Sequence, residues 1–285
     1  MENKINSRRK PNWLKIRLPM GSSFAEVKGI IRKNNLHTIC TSGDCPNMGE
    51  CWDAGTATFM ILGEICTRAC KFCAVKTGKP LTVDQEEPKK LAESIQLLKL
   101  KHCVITSVDR DDLDDGGATI WGESIRQVKT LNPNTTIEVL IPDFQGNESL
   151  IQRIIDAKPD IISHNMETVR RLTPKVRSRA EYDKSLKVIE FISKSGIRSK
   201  SGIMLGIGET EEEILQTMKD LRSVNCQVMT IGQYLQPTLK NIEVVEYVKP
   251  QVFAELKILG LEMGFRFVES GPLVRSSYHA GKHVL

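Results

Sequence analysis

The sequence predicts an α/β fold organised around a parallel sheet. From residue 58 onward, short apolar runs alternate with longer helical patterns. The runs are four to six residues long and mostly rich in β-branched residues, as strands buried on both faces are. Six such units follow one another, which is the order that right-handed βαβ connections produce. The strands are expected at 58–62, 104–108, 137–141, 160–163, 202–205 and 228–231. The helices between and after them are expected at 88–100, 119–131, 148–157, 181–195, 210–224 and 250–263. The fifth helix shows the pattern well: Ile214, Leu215, Met218 and Leu221 share one apolar face, and Thr210 with Glu213 reads as a capping box. Periodicity leaves open whether the sheet closes, stays open as a partial barrel or lies flat. In each case sites gather at the C-terminal ends of the strands.

Outside these units the pattern lapses. Residues 1–57 read as an N-terminal extension wrapped on the sheet, with a candidate helix at 24–34, and residues 269–285 read as an irregular C-terminal segment. The α/β part is thus expected to span 58–268. A chain of 285 residues with 40% hydrophobic content has enough apolar surface to offset the entropy of ordering, so disorder is excluded. Apolar runs such as 59–62 and 137–141 are far shorter than the roughly 20 residues a spanning helix needs, so no membrane role is expected. No apolar stretch of a secretory signal follows Met1, and a cytoplasmic location is expected. The net charge is +5, with one basic cluster at 4–17 that suits either a solvated arm or a docking surface for an acidic partner.

Eight cysteines are the informative number. In a reducing compartment, in a chain with a full core, they point to metal or redox chemistry instead of disulfides. Cys66, Cys70 and Cys73 place three thiols within eight residues, in the loop that leaves the first expected strand. Thiolates suit zinc or an iron–sulfur cluster. Structural zinc wants a fourth ligand that this triplet lacks, whereas a four-iron cluster on three cysteines leaves one iron open for reaction. Another triplet, Cys40, Cys45 and Cys51, comes first in the chain and lies in the extension. Read alone it could be three buried thiols. Cys103 and Cys226 stand alone beside apolar runs and are expected to be buried packing thiols.

The stretch Cys66-Thr-Arg-Ala-Cys70-Lys-Phe72-Cys73 resembles the signature of the radical S-adenosylmethionine (SAM) enzymes. Together with the first triplet, set within 36–52, the chain resembles the lipoyl synthases, and the likeness continues through 55–63, 105–117, 163–168, 201–209, 231–237 and 271–278. The resemblance implies a partial (β/α)6 TIM-type barrel and two [4Fe-4S] clusters. One, on Cys66, Cys70 and Cys73, would bind SAM and release a 5′-deoxyadenosyl radical. The auxiliary cluster, on Cys40, Cys45 and Cys51, would donate two sulfur atoms to carbons 6 and 8 of an octanoyl group carried on a lipoyl carrier domain. The Arg-Ser-Ser-Tyr stretch ending at Tyr278 would supply a serine ligand to the auxiliary cluster, Ser277 first and Ser276 second. An electron donor protein is implied as a further partner.

The same likeness places Phe72 against the adenine, although a plain core aromatic fits that position equally. Asn165 and Glu167, at the end of the fourth strand, and Arg177, in the next loop, would hold the ribose and the methionyl carboxylate. His164 reads equally as a structural histidine. Asp109 to Asp115 lack calcium-loop spacing and read as a loop lining the site. Two positions depart from the family pattern: 41–44 lacks the Glu commonly found after the first cysteine, and Asn241 stands where a His is commoner. Two other readings compete. A biotin-synthase or methylthiotransferase relative would place its auxiliary cysteines differently and lack Arg-Ser-Ser-Tyr. A zinc-stabilised nucleic-acid module would want aromatics interleaved on a basic stripe, which a chain at 5% aromatic does not show, so no nucleic-acid partner is expected.

Overall fold

The expected strands pair in the order of the chain. In this computed structural model, which describes residues 10–15, 29, 37–42, 45, 47–53 and 56–284, β1 (His37–Thr38) and β2 (Thr56–Ile61) pair antiparallel. A parallel sheet then builds outward from β2 through β5 (His102–Ser107), β6 (Thr136–Leu140), β7 (Ile161–Ser163), β8 (Arg198–Leu205), β9 (Val228–Gln233) and β10 (Phe267–Gly271). The two-stranded ladder of β3 (Ile65–Cys66) and β4 (Lys76–Thr77) lies apart. β1 and β10 are the sheet's edges and do not pair with each other, so the barrel stays open.

Helices α1 (Glu87–Leu97), α2 (Ala118–Leu131), α3 (Glu148–Asp156), α4 (Tyr182–Lys194), α5 (Glu211–Ser223) and α6 (Pro250–Glu262) each follow a strand of the main sheet. Their apolar stripes face the sheet: Leu91 and Ile95 of α1, Trp121, Ile125 and Val128 of α2, and Met218 and Leu221 of α5 are buried. The capping box of α5 forms, with the Glu213 amide donating to Thr210 Oγ1 at 3.4 Å and the Thr210 amide to Glu213 Oε2 at 2.9 Å.

Three strands of the main sheet differ from the sequence reading for identifiable reasons. β8 begins four residues earlier than the apolar run, because its first half carries Lys200, which is buried against Glu138 of β6 (Nζ to Oε1 2.8 Å, Oε2 2.9 Å). Ser163 of β7 donates to the same carboxylate at 3.0 Å, so the buried Glu138 side chain is satisfied. β10 crosses the junction at 268/269 and is too polar to show as an apolar run. β1 is too short to show any pattern. The helix expected at 24–34 lies outside the described residues apart from Gly29.

Beyond β10 the chain forms a strap. Gly232 at the end of β9 makes room for it: a Cβ there would lie 2.1 Å from the Val274 carbonyl oxygen. The strap then runs from the C-terminal to the N-terminal ends of the strands, where a short 3-10 helix (Ala280–Val284) packs on β5 and β6. His283 of that helix is buried, with Nδ1 3.3 Å from Lys200 Nζ, and Arg198 donates to its carbonyl.

Candidate active site

The cysteine loop leaves the C-terminal end of β2, where the topology gathers loops into a site. The β3–β4 ladder pinches its base, and the Gly78 amide donates to the Cys66 carbonyl at 3.0 Å. Backbone amides point at the sulfurs: Arg68 N and Asp109 N lie 3.4 and 3.3 Å from Cys66 Sγ, and Val75 N lies 3.5 Å from Cys73 Sγ. Ser178 Oγ accepts from the Ala69 amide at 3.1 Å and lies 3.8 Å from Cys70 Sγ. Burial, and then the neighbouring charges, push the thiols up: Cys66 to about 11 and Cys73 to about 12, with Cys70 also raised. Such thiols ionise when a cationic centre binds them.

Arg68, within this loop, is buried and met by three carboxylates from the ends of β5 and β6. Nε and Nη2 bond Asp111 at 2.8 Å each, Nη2 also bonds Asp143 at 2.8 Å, and Nη1 lies 3.3 Å from Asp109. Bidentate, charge-assisted geometry of this kind fixes position as well as charge. Despite its burial, the bonds from Arg68 bring the Asp143 carboxyl down to about 2. Burial outweighs Arg68 at Asp109 and pushes it up to about 6.

Cys66, Cys70 and Cys73 line a cavity of about 530 Å³ together with Phe72, Asn165, Glu167, Arg177, Arg275 and Ser276. Glu167 takes a left-handed backbone (φ 64°), held by a bridge to β8 in which its amide donates to the Gly202 carbonyl at 2.9 Å. A non-glycine residue held so carries strain on the order of 1–3 kcal/mol, and such strain gathers at functional sites. Burial raises its carboxyl, and Asn165 Nδ2 donates to it at 3.1 Å. Asn165 Oδ1 is buried and has no hydrogen-bond partner among the described residues. A Cβ at Gly202 would come within 3.3 Å of that oxygen and 2.3 Å of Thr230 Oγ1. Arg177 donates to Ser185 Oγ at 2.9 Å and meets no carboxylate at ion-pair distance among the described residues. His164 is satisfied on both ring nitrogens, by the Ile141 carbonyl and Ser185 Oγ at 3.0 Å each, and burial lowers it to about 4. It is a structural histidine.

The first triplet packs beside β2. Cys40 is buried, Cys45 and Cys51 are half-buried, and the Cys45 amide donates to the Cys40 carbonyl at 3.0 Å. Burial, then mutual charge, pushes Cys40 to about 11 and Cys51 to about 12. The strap closes over this segment: Asn47 Nδ2 donates to the Leu273 carbonyl at 2.6 Å, and Tyr278 Oη to Glu50 at 3.2 Å. Ser276 lines the cavity, while Ser277 is half-buried.

All eight cysteines are free, and Cys103 and Cys226 are fully buried. Among the described residues no three His, Cys, Asp or Glu side chains are arranged to hold a single ion. Three free thiols lining a cavity wall suit a cluster, which holds its thiolates at separate corners. A family model described as the Radical SAM superfamily matches residues 60–221, and one described as the N-terminal domain of lipoyl synthase of that family matches residues 1–45. A lipoyl synthase of Treponema denticola is 66% identical over 279 residues, spanning 98% of this chain and 96% of its own. A mitochondrial lipoyl synthase of Nematostella vectensis is 59% identical over 276 residues, spanning 96% of this chain and 95% of its own. The chain belongs to the lipoyl synthase family.

Lipoyl synthases are radical SAM enzymes, and that membership implies one [4Fe-4S] cluster and SAM. Solved structures share the fold at low identity. HydG, a maturase of the [FeFe]-hydrogenase, superposes with a TM-score of 0.61 at 12% identity, over 93% of this chain and 66% of its own. Methylornithine synthase (PylB) gives 0.57 at 14%, over 75% and 71%. No helix among the described residues is long and apolar enough to cross a membrane. Two residues of this lipoyl synthase carry more than the sequence reading assigned. Asn241 donates through Nδ2 to the Lys71 and Cys73 carbonyls at 3.2 and 2.9 Å, so the position that departs from the family pattern holds the cysteine loop. Arg68 was a spacer between cysteines; the run of five aspartates at 109, 111, 112, 114 and 115, of which Asp109 and Asp111 meet it, was the available signal.

Proposed function

We propose that this lipoyl synthase holds one four-iron cluster on Cys66, Cys70 and Cys73 and an auxiliary one on Cys40, Cys45, Cys51 and Ser277. We infer that it inserts two sulfur atoms at carbons 6 and 8 of an octanoyl chain amide-linked to a lipoyl carrier domain. The observation that carries this reading is the strap: it lies on the first triplet through Asn47 and Glu50, and its Arg275 and Ser276 line the same cavity as the second triplet. When bound, the cluster on Cys66, Cys70 and Cys73 with SAM would supply a radical able to take hydrogen from unactivated carbon, and the auxiliary cluster would supply sulfur.

The chain's own groups bind, orient and exclude water. Asn165 Oδ1, an acceptor without a partner, suits a ribose hydroxyl, and Gly202 keeps the space beside it free. Arg177 suits the methionyl carboxylate, Glu167 a ribose or amino group, and Phe72 the adenine face. Met60, Val108, Ile141, Ile203 and Val274 give the cavity an apolar wall for an acyl chain. Residues 1–57, 58–268 and 269–285 then act as auxiliary-site extension, radical barrel and closing segment. Free cysteines throughout suit a reducing cytoplasm, where a separate electron donor protein would serve the clusters.

The test is Cys40→Ala, reconstituted without oxygen. It should still produce 5′-deoxyadenosine from SAM and give no thiolated octanoyl product. Two sulfurs inserted by this variant would overturn the auxiliary role.

A further inference from the structure

Arg275 is a cation in the cavity wall without a carboxylate. Among the described residues its hydrogen bond runs from Nη1 to the Val274 carbonyl at 2.7 Å, and no acid lies within ion-pair distance. Arg68, in the same wall, is met by three carboxylates. The side chain is half-buried, and a cation partly withdrawn from water is stabilised by a counter-charge, which here is to be sought in what the site binds.

Its position is built by the fold. The strap that carries it crosses Gly232, whose ideal Cβ would lie 3.5 Å from Arg275 Nη1, and is tied to the segment between Cys45 and Cys51 by Asn47 and Glu50. Arg275 lies between the two points, Leu273 and Tyr278, at which the strap is tied to that segment. Further along the strap, His279 lies 3.7 Å from Glu50 and 3.8 Å from Glu269.

We propose that Arg275 is the resident counter-charge of the auxiliary cluster, facing it from the cavity side. This rests on the two-cluster reading above. Three thiolates and an alkoxide on an oxidised four-iron core leave about two net negative charges, and net charge with N–H···S bonding sets how readily such a core is reduced and how firmly it is kept. A guanidinium on the strap between those ties offsets that charge where sulfur must leave toward the substrate.

The experiment uses the full chain with Cys66, Cys70 and Cys73 changed to Ala, so that only the first triplet can carry iron. This parent, Arg275→Gln and Arg275→Lys are reconstituted without oxygen and compared for iron content, iron loss to a chelator and midpoint potential. The parent should hold about four irons. Arg275→Gln should move to a more negative potential and lose iron roughly ten- to a hundredfold faster, as loss of a charged hydrogen bond implies. Arg275→Lys should recover most of both. Iron retained by the Lys variant and absent from the Gln variant also supports the proposal. Unchanged Gln behaviour, or Gln and Lys variants equally impaired, would overturn it. So would an Arg275→Gln change, in the otherwise native enzyme, that weakens SAM binding and leaves the auxiliary potential unmoved. A parent without iron would sink the two-cluster reading first, and the role of Arg275 with it.

Discussion

Replacing Arg68 with Met removes the guanidinium around which Asp109, Asp111 and Asp143 are arranged. Asp143 is 1% exposed and has no other cation at bonding distance among the described residues, whereas Asp111 keeps Arg179 at 3.6 Å. Breaking a buried pair by removing one partner costs about 3–5 kcal/mol, because the remaining charge stays buried. The titration of Asp143 gives an independent scale. Its fall from 3.8 to about 2 corresponds to about 2 kcal/mol from one of the three carboxylates. Because the folded value is depressed, that stabilisation is present above about pH 4 and lost as pH falls toward 2. Asp109 acts in the opposite sense: raised to about 6 by burial, it favours the folded chain as it takes up a proton between pH 6 and 4. Urea unfolding of the reduced, metal-free chain at several pH values is the assay. Arg68→Met should lose about 3–5 kcal/mol at pH 7, with the deficit narrowing below pH 4. Lys76→Ala, which breaks an exposed pair with Glu64, should change stability by less than about 1 kcal/mol. A Met variant within 1 kcal/mol of the parent at pH 7, with the same acid limb, would refute the reasoning.

Three further outcomes are expected. Cys66→Ala should halve bound iron, from about eight to about four per chain, and abolish 5′-deoxyadenosine formation, read by iron analysis and chromatography. Gly232→Ala should displace the strap, since the new Cβ would overlap the Val274 carbonyl oxygen, and limited proteolysis should cut within 272–278 faster than in the parent. Lys200→Met should cost about 3–5 kcal/mol by stranding Glu138 in the interior. Adding Glu138→Leu should restore much of it, as measured by denaturant midpoints.

The βα alternation was legible because strands buried on both faces must be apolar, and the helices beside them amphipathic. Cysteine spacing pointed to metal chemistry for the same local reason: three candidate ligands in one loop leave their signature within eight residues. What escaped was long-range. β8 hides its first half because Lys200 is made tolerable by Glu138, 62 residues away. The clamp on Arg68 draws on carboxylates 41 to 75 residues away in sequence, and Asn241 reaches the cysteine loop from 168 residues away. Polar pairs of this kind have no periodicity to read. Among the positions named for SAM, Asn165 and Glu167 do share one wall with Phe72 and Arg177, and the left-handed backbone of Glu167 is a feature no residue pattern announces.

The contacts from Asn47 to Leu273 and from Glu50 to Tyr278 join positions 226 and 228 residues apart. Closing so long a loop repays its entropy only after the intervening units have condensed, so these contacts belong late in folding. Residues 66–73 depend on partners nearer in sequence and can be organised earlier. Maturation therefore has an inherent order: a nascent or truncated polypeptide stopping before residue 272 would present one thiol constellation ready for loading, and the other still lacking its cover.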